Sequence, residues 1–238
     1  RTEEIIFTRN ATEAINIVAR SWALKSLNAG DEIIISVMEH HSNIVPWQMV
    51  AEKTGAVLKF LPLTENQELD LMALPQLLTN KTRLISLQHV SNVLGAVNPV
   101  ADVVEFARDL GVKVLVDACQ SVPHMPVDVQ ALGCDWLVAS GHKMCAPTGI
   151  GFLWGKTELL SKMDPLYKGG LTVEEVEGDN FNYHGLPSRL EGGMVPTAEA
   201  IGLGAACDYL SSMGMDKVHD LELELGRYLY DRLSAYKE

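Results

Sequence analysis

The sequence is short of positive charge and has no long apolar run. Its 238 residues include 19 Lys and Arg against 31 Asp and Glu, which gives a net charge of −12. A negative surface repels nucleic-acid phosphates and anionic lipid, so we expect neither a nucleic-acid nor a membrane partner. No stretch reaches the roughly 18 consecutive apolar residues of a transmembrane helix.

Cysteine is also scarce. The four cysteines, Cys119, Cys134, Cys145 and Cys207, have no spacing typical of a metal or redox site. We therefore predict no bound metal and a reducing compartment, and we interpret the cysteines as small core residues rather than nucleophiles. Because 47% of the residues are apolar and 21% are charged, the chain can form a core without a disulfide or a metal.

Internal repeats, low-complexity tracts and a signal peptide are absent as well. Residue 1 is Arg, and the sequence stops at Lys237-Glu238 without a terminating element. We expect the sequence to be truncated at both ends.

What the sequence does contain is an alternation of short apolar runs with helical stretches. Several runs are continuously apolar, as expected of strands that are covered on both faces. The predicted strands are 4–8, 32–37, 57–63, 84–89, 113–117, 136–139 and 151–154. The alternation predicts an α/β fold with a mostly parallel, seven-stranded sheet flanked by helices.

The predicted helices are 11–26, 44–54, 69–79, 99–110, one that begins near Pro196, and 216–236. The first has a helical stripe of Ala11, Ile15, Val18 and Trp22, and Asn10 with Glu13 can form a variant of the capping box. Residues 164–196 are rich in Gly and Pro and predict a long ordered loop region. We divide the chain into a large domain, 1–200, and a helical connection, 201–238, into a smaller C-terminal domain.

Polar side chains follow the predicted strands where a parallel sheet binds ligands, beyond the carboxyl ends of the strands. The run 113–117 ends at Asp117 and is followed by Gln120. The next strand leads to Ser140, His142 and Lys143, and the strand before leads to Asn92.

Two further segments contribute to the same region. Ala11 and Thr12 begin a helix, whose free N–H groups and dipole favour a phosphate, and another strand is followed by His40 and His41. A phosphate site, a lysine and a carboxylate are what pyridoxal 5′-phosphate requires, because its aldehyde bonds to an amine and its ring nitrogen pairs with an acid.

Each of these residues also has an ordinary structural explanation. An aspartate at a strand end is usually a turn or cap residue, a lysine there is usually solvated, and a single histidine such as His40 is more often a satisfied surface or core residue. The joint pattern at successive strand ends is what favours the cofactor site.

Five stretches together resemble the SUF-type (group II) cysteine desulfurases, fold-type I enzymes of the class V aminotransferase superfamily. The stretches are FTRNATEAIN, MEHHSNIVPWQ, HVSNVLG, VDACQSVPHMPVDVQ and SGHKMCAPTGIGFLWG. The resemblance implies a pyridoxal-phosphate enzyme that converts L-cysteine to L-alanine and an enzyme-bound persulfide for iron–sulfur cluster assembly. It also implies a homodimer, a sulfur-acceptor protein of the SUF system, and a cytoplasmic location, or the plastid stroma in a plant or alga.

The same resemblance implies roles for the site residues. Lys143 would bond to the cofactor aldehyde and move the substrate proton, Asp117 would pair with the ring nitrogen, and His40 would stack on the ring. Gln120 would bind the phenolic oxygen and Asn92 would lie near the substrate carboxylate; the phosphate ligands would be Ala11, Thr12, Ser140 and His142.

The sequence departs from the family in places. The family stretch Glu-Ala-Gly-Thr-Pro reads Glu191-Gly192-Gly193-Met194-Val195, the preceding aromatic is Leu190, and a Gly-Gly-Gly stretch reads Lys168-Gly169-Gly170. The family threonine reaches the phosphate in the partner subunit, and Met194 has no hydroxyl. The persulfide cysteine and the substrate-binding arginine of the family would lie after residue 238, so we expect this chain to be inactive by itself.

Alternatives remain open. A selenocysteine lyase cannot be separated from a desulfurase on this stretch, whereas a kynureninase-like hydrolase resembles it less at His40. A non-catalytic protein with this fold is supported by the changes at 190–195 and opposed by the intact Asp117, Gln120, His142 and Lys143.

Overall fold

A computed structural model describes residues 1–236. Within that range nine strands form two sheets. Their bounds are β1 Ile5–Thr8, β2 Glu32–Ser36, β3 Val57–Leu61, β4 Thr82–Gln88, β5 Lys113–Asp117, β6 Trp136–Ser140, β7 Gly151–Gly155, β8 Val173–Glu177 and β9 Asn180–Tyr183.

The first seven strands form one sheet in the order β1-β7-β6-β5-β4-β2-β3. β7 is antiparallel to both of its neighbours, and the other strands run in one direction. The predicted mostly parallel, seven-stranded sheet is therefore confirmed. Since parallel strands place their carboxyl ends at one edge, β2, β4, β5 and β6 all deliver their following loops to the same side of the sheet.

The helices are α1 Ala11–Ile17, α2 Leu24–Ser26, α3 Val45–Thr54, α4 Leu74–Leu77, α5 Val100–Arg108, α6 Val129–Leu132, α7 Thr157–Leu160, α8 Thr197–Met213 and α9 Met215–Ser234. A π-helical segment, Val18–Ala23, joins α1 to α2. Alternate residues of the strands face opposite sides of the sheet. Ile33 and Ile35 therefore pack in one core with α1 and α3, whereas Ile34 packs in a second core with α5.

The start of α1 agrees with the sequence. Asn10 Oδ1 accepts a hydrogen bond from Glu13 N at 3.0 Å, and Glu13 Oε2 accepts one from Arg9 N at 2.6 Å. This is the reciprocal pattern of a capping box, except that the glutamate accepts from the N–H of Arg9 and not from that of the N-cap residue Asn10. Ala11, Ile15 and Val18 are buried as predicted, and Trp22 is partly buried against the same core.

Two expectations were wrong. The helix predicted at 69–79 is only Leu74–Leu77, because Asp70 forms a turn with Met72 N and Leu69 pairs with Leu63 in an isolated bridge. The segment 164–196 also contains the hairpin β8–β9, whose strands are exposed on nearly every residue. An acidic exposed hairpin lacks the apolar alternation by which strands are recognised.

The predicted boundary at residue 200 falls inside α8, and the division into two domains stays a prediction. Among the helices of residues 1–236, none combines the length and the hydropathy that crossing a membrane requires.

Candidate active site

A cavity of about 220 Å³ opens at the carboxyl edge of the sheet. It lies where β4, β5 and β6 end and where α1 begins. All nine residues predicted for the site line this cavity: Ala11, Thr12, His40, Asn92, Asp117, Gln120, Ser140, His142 and Lys143. The lining also includes five residues that were not predicted, namely Asn10, Ser42, Gln88, Val90 and Cys119.

The amino end of α1 forms one wall. Ala11 N donates to Ser140 Oγ at 2.9 Å, which ties the helix to the end of β6. Thr12 Oγ1 is 2.7 Å from Ser42 Oγ. Backbone N–H groups, two serine hydroxyls and a threonine hydroxyl therefore meet at a helix N-terminus, which is a favourable arrangement for a phosphate.

Gly151 makes this arrangement possible. A Cβ atom at this position would lie 2.6 Å from Ala139 O and 2.8 Å from Asn10 Cα. Because both atoms belong to the backbone, neither can rotate away. The absence of a side chain at the start of β7 lets the residue before α1 approach the sheet closely.

Asp117 is buried at the end of β5, with 5% of its surface exposed. Its Oδ1 accepts a hydrogen bond from Cys119 N at 3.0 Å. Across residues 1–236, no donor pairs with Oδ2 and no cation forms an ion pair with this carboxylate. A buried carboxylate with a free oxygen at a cavity wall is suited to a positively charged or proton-bearing nitrogen.

His40 lies in the loop after β2. Ser42 N donates to His40 Nδ1 at 3.2 Å, and Ser42 Oγ lies 3.0 Å from the same atom. Since Nδ1 accepts the backbone N–H, the proton of the neutral ring lies on Nε2. Ser42 therefore sets the tautomer of His40, and its signal in the sequence was its place two residues after the histidine.

Lys143 is half-buried and ends the short 3₁₀ turn Gly141–Lys143 after β6. Its amine has no carboxylate within ion-pair distance in the part of the chain that the structure describes. A Cβ at Gly141 would lie 2.8 Å from Ile150 O, so the turn is tight and the direction of the lysine is restricted. The amine is thus available for a ligand.

Cys119 lines the cavity but is unsuited to nucleophilic attack. Burial raises the pKa of its thiol to about 12, and the negative charge of Asp117 acts in the same direction. The thiol is therefore protonated at neutral pH, which agrees with its interpretation as a core residue.

The residues that differ from the family stretches lie elsewhere. Met194 is 92% exposed and Leu190 is buried, and both line a second cavity with Arg9, Tyr167 and Glu191. Neither lines the cavity that contains Lys143.

The donor set matches a compact, phosphorylated aromatic aldehyde. Hydrogen-bond donors for a phosphate lie at the start of α1. The free carboxylate oxygen belongs to Asp117 at the end of β5, and the amine belongs to Lys143 on the turn after β6. The cavity of about 220 Å³ is smaller than the roughly 300–1,000 Å³ of pockets for drug-sized ligands, as suits a single-ring compound. The residues present are thus compatible with pyridoxal 5′-phosphate.

Comparison with known proteins gives a consistent assignment. The family model described as aminotransferase class-V matches residues 1–238. A probable cysteine desulfurase of Synechocystis is 58% identical over 97% of this chain and 55% of its own length.

Solved structures agree. The cysteine desulfurase CsdA of Escherichia coli is 42% identical, with a TM-score of 0.96 over 98% of this chain and 59% of the other. A variant of C-DES with glycine covalently linked to its PLP cofactor is 26% identical, with a TM-score of 0.87 over 96% of this chain and 61% of the other.

This chain thus spans somewhat more than half the length of the relatives that it matches. Over that span the sheet order, the cavity at the strand ends and the family match agree. The chain belongs to the aminotransferase class-V family.

Proposed function

We propose that this chain forms the cofactor-binding part of a pyridoxal-phosphate-dependent cysteine desulfurase. The observation that carries the proposal is the meeting of Asp117, Lys143 and the N-terminus of α1 at one cavity. The names of the relatives support L-cysteine as the substrate, and we propose L-cysteine ahead of L-selenocysteine for that reason.

When bound, the cofactor supplies an electron sink for the carbanion that forms at the substrate Cα. Asp117 would stabilise the positive ring nitrogen through its free Oδ2, and Gln120 would donate to the phenolic oxygen. The residues that would hold the phosphate are Ala11, through its N–H, Thr12, Ser140 and His142. His40, whose orientation is set by Ser42, would cover one face of the ring.

Lys143 has two roles in this proposal. Its Nζ would hold the cofactor through the aldehyde, and the same amine would take the proton from the substrate Cα. Asn92 lies at the cavity wall, where it can bind the substrate carboxylate.

Sulfur transfer needs a thiolate that attacks the substrate sulfur while the Cβ–S bond breaks, which leaves the persulfide and, after Cβ is protonated, L-alanine. In the part of the chain that the structure describes, no cysteine suited to this role lines the cavity. We propose that the whole protein supplies that thiolate, acts as a homodimer and passes the sulfur to a SUF acceptor protein. The predicted compartment, cytoplasm or plastid stroma, stays a prediction.

Cofactor binding tests the proposal. We expect the purified chain to turn yellow with pyridoxal 5′-phosphate and to retain the colour on desalting, because Lys143 bonds to the aldehyde. Lys143→Ala should lose the retained colour and the covalent adduct that borohydride reduction traps. Lys162→Ala, an exposed lysine outside the cavity, is the matched control. Retention of the trapped adduct in Lys143→Ala would assign the bond to another lysine.

A further inference from the structure

Glu39 is a buried carboxyl group directly before His40. It is 6% exposed and joins three elements. Asn43 Nδ2, from the turn His41–Asn43, donates to Oε2 at 2.7 Å, and Gln88 N, at the end of β4, donates to the same atom at 2.8 Å. Oε1 is hydrogen-bonded to the hydroxyl of Ser36, the last residue of β2.

The partners of Glu39 extend the connection. Asn43 Oδ1 accepts from Ser86 Oγ at 2.6 Å and from Trp47 Nε1 at 2.9 Å, and Gln88 Nε2 donates to Met38 O at 2.6 Å. The loop that carries His40 is therefore attached to β4 through buried hydrogen bonds on both sides of Glu39. Buried networks of this kind restrict the loop to one conformation.

The surroundings of Glu39 are unusual for an ionised carboxylate. Within residues 1–236, it forms no ion pair with Lys, Arg or His. A second buried acid lies close by, since Gln88 is opposite Asp117 in the register of β4 and β5. Burial raises the pKa of Glu39 to about 8. The hydrogen bonds from Ser36, Asn43 and Gln88 act against this shift, and the charge of Asp117 adds to it.

Other ionisable groups around the loop do not offset this. His89 follows Gln88 on β4, and burial lowers the pKa of its ring, which favours the uncharged form. His40 is exposed on the same loop, and Lys143 and His142 line the cavity with Asp117 rather than contacting Glu39.

The hydrogen-bond partners are compatible with either protonation state. Asn43 and Gln88 are both donors to Oε2, which accepts in either protonation state. Ser36 Oγ donates to Oε1 of the carboxylate, and when the acid is neutral the same oxygen can accept the proton of Oε1, beside the bond that it accepts from Met38 N at 3.2 Å. A neutral acid therefore keeps the three hydrogen bonds of Glu39 and places no second negative charge beside Asp117.

We propose that Glu39 is a positioning residue that, as a neutral carboxylic acid, holds the His40 loop against β4 and leaves Asp117 as the sole anion at the cofactor ring. The inference rests on the proposed function, because it presupposes that a cofactor ring binds in the cavity. The protonation of Glu39 and its attachment of the loop concern the free protein as well.

The test compares Glu39→Gln with Glu39→Asp in the full chain. Gln reproduces the neutral acid, because its oxygen accepts from Asn43 and Gln88 and its amide donates to Ser36. Asp keeps the carboxyl group but is one methylene too short to reach all three partners. The control is Glu32→Gln at the other end of β2. Burial alone would raise the pKa of Glu32, but hydrogen bonds from Lys59, Thr79 and Thr82 outweigh burial and lower it.

The first readout is the free energy of unfolding of the cofactor-free protein from about pH 5 to about pH 9. A native pKa above the ordinary value means that the native state binds this proton more tightly, so wild-type stability from Glu39 is lost as the pH rises towards 8. We expect the free energy of unfolding of Glu39→Gln to increase relative to that of wild type as the pH rises across this range. Glu32→Gln should be destabilised at neutral pH, since it loses a stabilising anion. A difference between Glu39→Gln and wild type that is flat, or that falls with pH, would overturn the proposal.

The second readout is the dissociation constant for pyridoxal 5′-phosphate at neutral pH. We expect Glu39→Gln to stay within about threefold of wild type and Glu39→Asp to weaken binding by about tenfold, which is the loss of one well-formed hydrogen bond. Equal weakening in both variants, or none in either, would show that the residue does not act as a neutral positioning group. If wild type itself binds no cofactor, the proposed function fails, and the unfolding series still decides the state of Glu39.

Discussion

Asp117 and Glu39 are buried acids on neighbouring parts of the sheet edge, and their surroundings give them different chemistry. Asp117 keeps one oxygen free toward the cavity, whereas both oxygens of Glu39 have protein partners. A free carboxylate oxygen can pair with a ligand cation, whereas a fully bonded one can only hold its neighbours in place. The difference supports the two proposed roles, ligand binding for Asp117 and loop positioning for Glu39.

We expect Asp117→Asn to weaken the stabilisation of the carbanion more than it weakens cofactor binding. Replacing the charged hydrogen bond by a neutral one removes an interaction of about 1.5–3 kcal/mol. The rate of exchange of the substrate Cα proton, followed by NMR in deuterated water with the cofactor-loaded protein, measures the effect. Asp128→Asn, at the N-cap of α6 outside the cavity, is the control. Exchange at the wild-type rate in Asp117→Asn would contradict this role.

Strand-end position and the resemblance to the desulfurase family together predicted nine of the fourteen residues that line the cavity. Glu39 could not be predicted in the same way. A glutamate after Val37 and Met38 looks like an ordinary loop acid, and only the packing of β4 against the loop buries it. Its partner Gln88 lies 49 positions away, and no local pattern connects the two.

At the scale of elements, the site depends on how closely α1 approaches β6 and β7. Gly151 is the point of contact, since the atoms nearest to its missing Cβ belong to the backbones of Ala139 and Asn10. The capped start of α1 and the hydrogen bond from Ala11 N to Ser140 Oγ both follow from this approach.

We expect Gly151→Ala to destabilise the fold by about 1–3 kcal/mol, the typical cost of overpacking. The start of α1 should also move away from Ser140 and weaken phosphate binding. Urea unfolding measures the first effect, and the affinity for pyridoxal 5′-phosphate measures the second. Gly170→Ala is the control, because a Cβ there meets nothing within 4 Å. Equal behaviour of the two variants would show that the approach of α1 tolerates a methyl group.

The elements that sequence reasoning predicted best are those with a buried periodic pattern. β2 and β6 are buried along their whole length, and their apolar runs predict strands directly. The hairpin β8–β9 was missed because Glu174, Glu175 and Glu177 interrupt any apolar alternation. α4 was overestimated because local spacing does not reveal the bridge between Leu63 and Leu69.

For the whole molecule, the matched span sets what chemistry the chain can perform. It covers 55% of the Synechocystis relative and 59% of the E. coli enzyme structure. In the proposed function, the cavity provides for cofactor binding and for proton removal at Cα. Sulfur transfer also needs a thiolate at the substrate sulfur, and the described part of this chain does not bring one to the cavity in a reactive form.

The four cysteines support that distinction. Burial raises the pKa of both Cys119 and Cys134 to about 12, so neither thiol ionises at neutral pH. Partial burial also raises the pKa of Cys207, which lies outside the cavity on α8. Cys207 and Cys145 are both exposed, so the expectation of a core position was wrong for these two. Cys145 is exposed two residues after Lys143 but does not line the cavity.

We therefore expect the 238-residue chain to bind the cofactor and exchange the Cα proton of L-cysteine without releasing sulfide at an enzymatic rate. Without a positioned nucleophile, the Cβ–S bond has no acceptor for its sulfur, and misplacement of the substrate by about 1 Å already costs roughly 100-fold in rate. The measurement compares sulfide and L-alanine formation with that of the cysteine desulfurase CsdA under reducing conditions. Comparable sulfide release would mean that a cysteine of this chain accepts the sulfur. Cys145→Ser would then be the first variant to examine, because its thiol is exposed and close in sequence to Lys143.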